Sequence, residues 1–355
     1  MNETHAIRRI FGKKTVKISA CPLSDNSGMS NRIVSEKAGI LRYAVQFSDG
    51  TDVRFIGKRK SAAIIARGIF MLSGGDPLLF LLLVKNHKII GYNGSFIREA
   101  CLYNSFDNSL KKYLPDTIGS AASRLSGECF IAMEELPPNV CTAVHVFPMI
   151  DAIAQFHARY YGDTSCVKKL GINCYASDDY RKTRRCLKRM FQSLSDENYS
   201  VFGKEKLEQI YRFIDNIHNE FALVEKRRTL THNDYSLRNI CIKNGQICIY
   251  DWELACFQNP EHDIAELLIS VMHDMTDSEI ITALGYYRKK LSELTGEALS
   301  DKEYFSSLRF NTLEFCVNKL SILRIAGNYL KLSYTHKLAE NTARMLDVLK
   351  YYEKR

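Results

Sequence analysis

Thr231-His232-Asn233-Asp234-Tyr235-Ser236-Leu237-Arg238-Asn239 runs into Ile240-Cys241-Ile242-Lys243, then Asn244-Gly245, then Gln246-Ile247-Cys248-Ile249, and Tyr250-Asp251-Trp252-Glu253 follows. Asn-Gly between two alternating runs predicts a β-hairpin, because both central residues of a type I′ turn take positive φ. Pairing outward from the turn sets Ile242 against Ile247 and Ile240 against Ile249. All four isoleucines then share one face, as a half-buried ribbon requires. The same register puts Asn239 opposite Tyr250 and leaves Asp251 one residue beyond, at the open end. Paired residues have Cβ atoms about 5 Å apart, so Asn239 and Asp251 lie within reach of one ion. Strict alternation aims them at opposite faces, so joint ligation needs the strand ends to twist apart.

An amide oxygen and a carboxylate are hard ligands suited to Mg²⁺, which keeps several waters and takes further oxygens from phosphates. Asp234, in the loop before Asn239, then stands beside a metal-bound polyphosphate. Two metal ligands plus one carboxylate to receive a hydroxyl proton make a phosphoryl-transfer arrangement. The alternative is that Asp234 and Asn239 cap turns and Asp251 ends a strand.

Outward from the hairpin, texture changes at Glu134-Glu135-Leu136-Pro137-Pro138. Before it, β-type segments dominate: Val16-Lys17-Ile18, residues 40–47 and 52–58 around the turn Ser48-Asp49-Gly50-Thr51, and residues 129–133. One helical stretch, residues 95–110, lies among them. After the prolines the pattern is mainly helical, with apolar spacing over residues 146–161 and capping boxes at Thr276 with Glu279 and Ser300 with Glu303. The expected architecture is α+β and two-lobed. A small β-rich N-terminal nucleotide-binding lobe (residues 1–136, with an insertion at about 61–94) precedes a larger, mainly helical catalytic and acceptor-binding lobe (residues 137–355).

The 355 residues are 46% hydrophobic and 25% charged, which excludes disorder and low complexity as the main content. Eleven cysteines, an odd number with no C-x-x-C spacing, fit scattered buried thiols in a reducing compartment better than a disulfide frame or zinc site. The basic N-terminus lacks a signal-peptide core, and the greasiest run, residues 78–84, falls far short of the roughly 20 residues that span a bilayer. A cytoplasmic chain with no membrane partner is expected. The run Arg181-Lys182-Thr183-Arg184-Arg185-Cys186-Leu187-Lys188-Arg189 lacks interleaved aromatics, so it reads as a solvated helix face and no nucleic-acid partner is expected.

His232-x-Asp234-x4-Asn239, a hairpin, then Asp251-x-Glu253 resembles the catalytic loop and metal motif of the aminoglycoside phosphotransferase and choline kinase family. That family shares the two-lobed protein-kinase-like fold. The resemblance implies that Asp234 is the catalytic carboxylate, that His232 shapes the catalytic loop, and that Asn239 and Asp251 are Mg²⁺ ligands. His262-Asp263-Ile264-Ala265 is similar to the family's later Asp-Leu-Ala pattern, with Asp263 structural, and Ala154-Gln155-Phe156-His157 resembles its helix after the hinge. The loop departs from the family, which has Gly after His and Pro-Gly before Asn; here stand Asn233, Leu237 and Arg238. Arg238 adds positive charge near the phosphates or the acceptor.

A kinase-like lobe demands a strand lysine for the phosphates and a helix glutamate to hold it. Lys58 is the candidate and Lys60, on the same face, its rival; a solvated basic strand end is the third reading. Glu99 is the only glutamate between Lys58 and Glu128. Ser27 and Gly28 offer a weak nucleotide loop with one glycine, or an ordinary turn. By resemblance, Met133 and Glu134 belong to the hinge reached by adenine. The expected activity is transfer of the γ-phosphoryl group of ATP, or another nucleoside triphosphate, with Mg²⁺, to a hydroxyl of a small molecule. From Asp251 to Glu303 twelve carboxylates face four cationic side chains. An acidic floor there would draw a cationic acceptor, such as an aminoglycoside or choline, unless these are merely exposed helix faces. The competing function is a nucleotide-binding pseudokinase or regulator, which needs a broken base or metal position; Asp234, Asn239 and Asp251 are all present.

Overall fold

The computed structural model describes residues 2–22, 39–123, 125–330 and 334–352. Helix α1 (Glu3–Phe11) precedes strands β1 (Thr15–Pro22), β2 (Ile40–Phe47) and β3 (Asp52–Ser61). Helices α2 (Ala62–Leu72), α3 (Pro77–Lys85) and α4 (Ser95–Ser105) follow, and β4 (Thr117–Ser123) and β5 (Glu128–Met133) complete an antiparallel sheet of order β1-β2-β3-β5-β4. Alternation splits β3 between two environments. Phe55 packs with Tyr43, Val45, Phe47 and Phe130 under α1. Ile56, Lys58 and Lys60 are buried on the other face, toward α4.

Two elements escape the sequence pattern. Strand β4 is Thr-Ile-Gly-Ser-Ala-Ala-Ser, with almost no large side chains, because α1 lies close above it: a Cβ on Gly119 would come within 2.9 Å of Ile10. The expected single helix over residues 95–110 ends at Ser105, where Asp107 caps a separate 3₁₀ turn, Asn108–Tyr113.

The C-terminal part is mainly helical. It contains α5 (Val146–Arg159), α6 (Ser165–Leu170), β6 (Asn173–Cys174), α7 (Ser177–Gln192), α8 (Ser195–Val224) and β7 (Thr229–Thr231). The hairpin strands β8 (Ile240–Lys243) and β9 (Gln246–Ile249) come next, then β10 (Cys256–Gln258) and α9 (Glu261–Val271). Helices α10 (Asp277–Thr295) and α11 (Asp301–Phe315) open with the two expected capping boxes. A π-helical turn, Cys316–Leu320, joins α11 to α12 (Ser321–Leu330), and α13 (Tyr334–Tyr352) closes the chain. The basic run lies on α7, where Tyr180, Cys186, Leu187 and Met190 are buried and Arg181 and Lys182 pair outward with Asp178.

The stretch between β3 and α4 straps the sheet to the helices. Asp76 caps α3, Pro77 occupies its first turn, and Leu79 and Leu83 are buried while Leu78 and Leu81 face outward. Each buried leucine contributes about 1.5–3 kcal/mol. Helix α2 packs on α12 and α3 on α7, reinforced by Lys88–Asp179 at 2.7 Å and Arg189–Asp76 at 3.2 Å. All eleven cysteines are free, and most are buried. Among the described residues, no helix is long and apolar enough to cross a membrane.

Candidate active site

The hairpin forms in the expected register, Ile240 against Ile249 and Ile242 against Ile247, with Asn244 and Gly245 at φ 52° and 77°. Two local features overcome the alternation that would separate Asn239 from Asp251. Asn239 ends a 3₁₀ turn, Leu237–Asn239, rather than extending the strand. Asp251 lies in the left-handed region at φ 64°, ψ 53°, which swings its side chain out of strand order. Both line one cleft of about 480 Å³ together with Asp234, Lys58 and Lys60.

Asn239 Nδ2 donates to the Asp234 carbonyl at 2.8 Å, so its Oδ1 is turned away from the loop and has no hydrogen-bond partner among the described residues. Asp251 accepts through Oδ1 from Lys58 at 2.6 Å and from Lys60 at 3.4 Å, leaving Oδ2 unpaired among them. Both open oxygens are hard donors, the kind Mg²⁺ takes, on residues that line the cleft.

Lys58 and Lys60 both reach Glu99, each at 2.8 Å, so the sequence rivals share one carboxylate. Lys60 also pairs with Glu253. Glu99, Asp251 and Glu253 offer ligand oxygens within 4.8 Å of one another. Burial opposes the charge of Glu99 and Asp251, but Lys58 and Lys60 override it and hold both carboxyls below their ordinary range. For Glu253 burial wins over Lys60, and its carboxyl is pushed up.

Beneath the loop, buried Asp263 accepts from the backbone N–H of His232 at 2.7 Å and of Asn233 at 2.9 Å, and pairs with His157 Nε2 at 3.1 Å. The expected structural role of Asp263 is thus visible as bonds. Asn233 sits at φ 59°, a conformation Gly takes freely and Asn tolerates best among side-chain-bearing residues. That accounts for Asn where the resembled motif has Gly. His232 is fully buried: its Nδ1 accepts from the Asp234 N–H at 3.2 Å and its Nε2 donates to the Tyr250 carbonyl at 2.9 Å. Both nitrogens are occupied by backbone, so His232 ties the loop to the end of β9.

Asp234 Oδ1 is bonded to Lys319 Nζ at 2.5 Å, with Arg238 at 3.9 Å. Burial would raise its pKa, but Lys319 and then Arg238 hold it below the usual carboxylate range. Lys319 also pairs with buried Glu266 and donates to the Asn233 carbonyl at 3.2 Å. The sequence reading missed Lys319. It stands on the π-helical turn, and its one trace in the sequence is the polar pair Asn318-Lys319 set between the apolar residues Phe315-Cys316-Val317 and Leu320. Such turns commonly mark functional sites. Arg238 packs over the Tyr334 ring and donates to its hydroxyl at 2.9 Å.

Three expectations need correction or lie elsewhere. Met133 and Glu134 do not line this cleft: Met133 is buried in the sheet between Ile56 and Thr117, and the Glu134 carboxylate is held by Lys243 and the Asp116 N–H. Ser27 and Gly28 lie outside the described residues. The acidic segment does not form an open floor, because Glu261 pairs with Arg227, Glu266 with Lys319, Asp277 with Arg344 and Asp301 with Arg288.

No curated protein matches the sequence. Among solved structures, the choline kinase LicA from Streptococcus pneumoniae is similar at 12% identity, covering 95% of this chain and 94% of that one, with a TM-score of 0.49. A thermostable mutant of the aminoglycoside phosphotransferase APH(4)-Ia, in ternary complex with ADP and hygromycin B, is similar at 11% identity over 96% and 97% of the two chains, with a TM-score of 0.47. Residues 114–296, more than half of the chain, match the model of the phosphotransferase enzyme family. That span holds the His232 loop, the hairpin and Asp263, and on its strength the chain belongs to the phosphotransferase enzyme family.

Proposed function

We propose that this enzyme transfers the γ-phosphoryl group of ATP, or another nucleoside triphosphate, to a hydroxyl of a small molecule. The observation that carries the reading is the meeting of Asp234, Asn239 and Asp251 at one cleft beside the Lys58–Glu99 pair. Asn239 Oδ1 and Asp251 Oδ2 would hold Mg²⁺, which when bound supplies charge neutralisation for phosphate oxygens. Lys58 and Lys60 present two ammonium groups to the same phosphates, positioned by Glu99.

Asp234 acts on the acceptor. With a reference pKa near 4, a carboxylate is too weak a base to deprotonate an alcohol fully in the ground state. Held ionised by Lys319 and Arg238, Asp234 orients the hydroxyl and takes its proton late, as a loose transition state permits. His232, Asn233 and Asp263 fix the backbone from which Asp234 projects. In Asp234→Asn, kcat falls about 10²-fold or more while nucleotide binding is retained. Turnover at the parent rate in that variant ends the reading; nucleotide bound without turnover of any alcohol by the parent favours a regulator instead.

A further inference from the structure

We infer that the acceptor is an alcohol carried on a largely apolar body, an assignment that rests on the phosphotransferase reading and names its substrate class. Lys319, which reaches Asp234, is followed three and four residues on by Ile322 and Leu323, and these line the cleft together with Ile90 and with Ile65 and Leu72 of α2, the helix that packs on α12. The strap between β3 and α4 and the helix after the π turn therefore both contribute apolar lining on the Asp234 side of the cleft. A pocket of mostly apolar walls with a few convergent polar groups binds an apolar body and uses the polar groups for orientation.

One such group is Asn318, which is only 8% exposed and lines this space. Its Nδ2 donates to Glu314 at 2.8 Å and to the Ile89 carbonyl at 3.3 Å, while its buried Oδ1 has no partner. That oxygen is suited to accept from a second hydroxyl or N–H on the acceptor. Charge argues the same way. Around Asp234 the carboxylates are already matched, Asp234 and Glu266 by Lys319 and Arg238 and Glu314 by His262, so there is no surplus of negative charge beside the acceptor to hold a polycation. Asp234 already carries Lys319 and Arg238, and a cationic group beside the reacting hydroxyl would meet both. An apolar body meets no such opposition and is rewarded by burial.

The test uses the full chain and octyl glucoside below its micelle concentration against methyl glucoside, which has the same sugar ring, and kanamycin as a polycation. Binding is measured by calorimetry and phosphoryl transfer by ³¹P NMR. Octyl glucoside is expected to bind at least about tenfold more tightly than methyl glucoside, and more tightly than kanamycin. Gly68 lines the cleft, and a Cβ added there meets no atom within 4 Å. Gly68→Leu adds an apolar side chain at a cleft position where its Cβ has room, and it should weaken octyl glucoside about tenfold while nucleotide affinity stays within about twofold and urea unfolding shows the parent stability. Leu323→Gln should do the same by making the wall polar. Equal affinity for the two glucosides, or tighter kanamycin binding, overturns the inference. Kanamycin phosphorylated in preference to both glucosides overturns it and leaves the phosphotransferase reading standing. Octyl glucoside bound in the expected order but never phosphorylated, with every other alcohol also inert, supports the apolar cleft and removes the phosphotransferase reading.

Discussion

At the sheet end of the cleft, Lys58 and Lys60 meet three carboxylates, those of Glu99, Asp251 and Glu253; at the helix end, Asp234 and Glu266 meet Lys319 and Arg238. The residue types are the same and the balances differ. Buried charges are tolerated only when compensated, and one uncompensated member is costly. The sheet end has one carboxyl more than it has cations, with burial pushing up that of Glu253, and the open oxygens of Asn239 and Asp251 lie there. The helix end is matched, two against two. A further cation therefore fits the first cluster, while the second is complete before any acceptor arrives. The division agrees with a metal–nucleotide complex at one end and an acceptor without a large charge at the other.

The largest effect that sharpens this contrast is expected from Asp251→Ala. It removes the excess carboxylate and one of the two hard donors, leaving Lys58 and Lys60 on Glu99 and Glu253. Activity should fall at least about 10²-fold, the upper range seen when even outer partners of a metal ligand are lost. Titration of nucleotide affinity against Mg²⁺ checks the cause: the dependence on the ion should largely disappear. If Mg²⁺ still tightens nucleotide binding as in the parent, the sheet end is not where the ion belongs and the contrast between the clusters fails.

The two ends also differed in how far the sequence revealed them. Turn chemistry is local, so Asn244-Gly245 and four isoleucines were enough to establish the hairpin and its register. Glu99 was found because no other glutamate stood in range. Hairpin register and ligand chemistry, and then the family resemblance, pointed to Asp234, Asn239 and Asp251, and their meeting at one cleft rests on a backbone detail, the left-handed Asp251, that no pattern of side chains announces. The helix end was illegible for another reason. Lys319 follows Asp234 by 85 residues, and its aim into the cleft depends on a π turn inside an otherwise α-helical stretch. Ile65 and Leu72 read simply as apolar residues of an insertion, since nothing local says which neighbour will face them. Likewise β4 is composed of small residues whose reason is the helix packed above them.

A smaller effect is expected at the helix end from Lys319→Met. Asp234 loses the cation that holds its pKa down, so its carboxyl rises toward the ordinary range. A carboxylate that must be ionised to accept a proton then sets in at higher pH, and the acid limb of kcat should move upward. At neutral pH kcat should drop about tenfold, within the coupling range of contacting charged residues. Removing one partner also leaves Glu266 buried and unpaired, which costs roughly 3–5 kcal/mol of stability. The double variant Lys319→Met with Glu266→Gln relieves that loss and keeps the test on Asp234. An acid limb that stays in place in the double variant would show that Lys319 is only packing.

The smallest expected effect concerns the bend that presents the Asn233 carbonyl to Lys319 at 3.2 Å. Asn233 stands at φ 59°, donates through Nδ2 to the Leu254 carbonyl at 3.0 Å and accepts through Oδ1 from Gln258 at 3.0 Å. Asn233→Gly loses both bonds, each worth about 0.5–1.5 kcal/mol, but keeps the left-handed backbone at no steric cost. Asn233→Ala loses the same bonds and adds the left-handed penalty of about 1–2 kcal/mol. Urea unfolding should therefore rank parent, Gly and Ala in falling order of stability, with the Gly-to-Ala step near 1 kcal/mol or above. Because the same bend carries Lys319, the Ala variant should also show part of the acid-limb shift and the Gly variant almost none. Equal stability for Gly and Ala would mean that the side-chain bonds alone explain Asn233. The matched charge at the helix end would then owe nothing to the strained loop beside it.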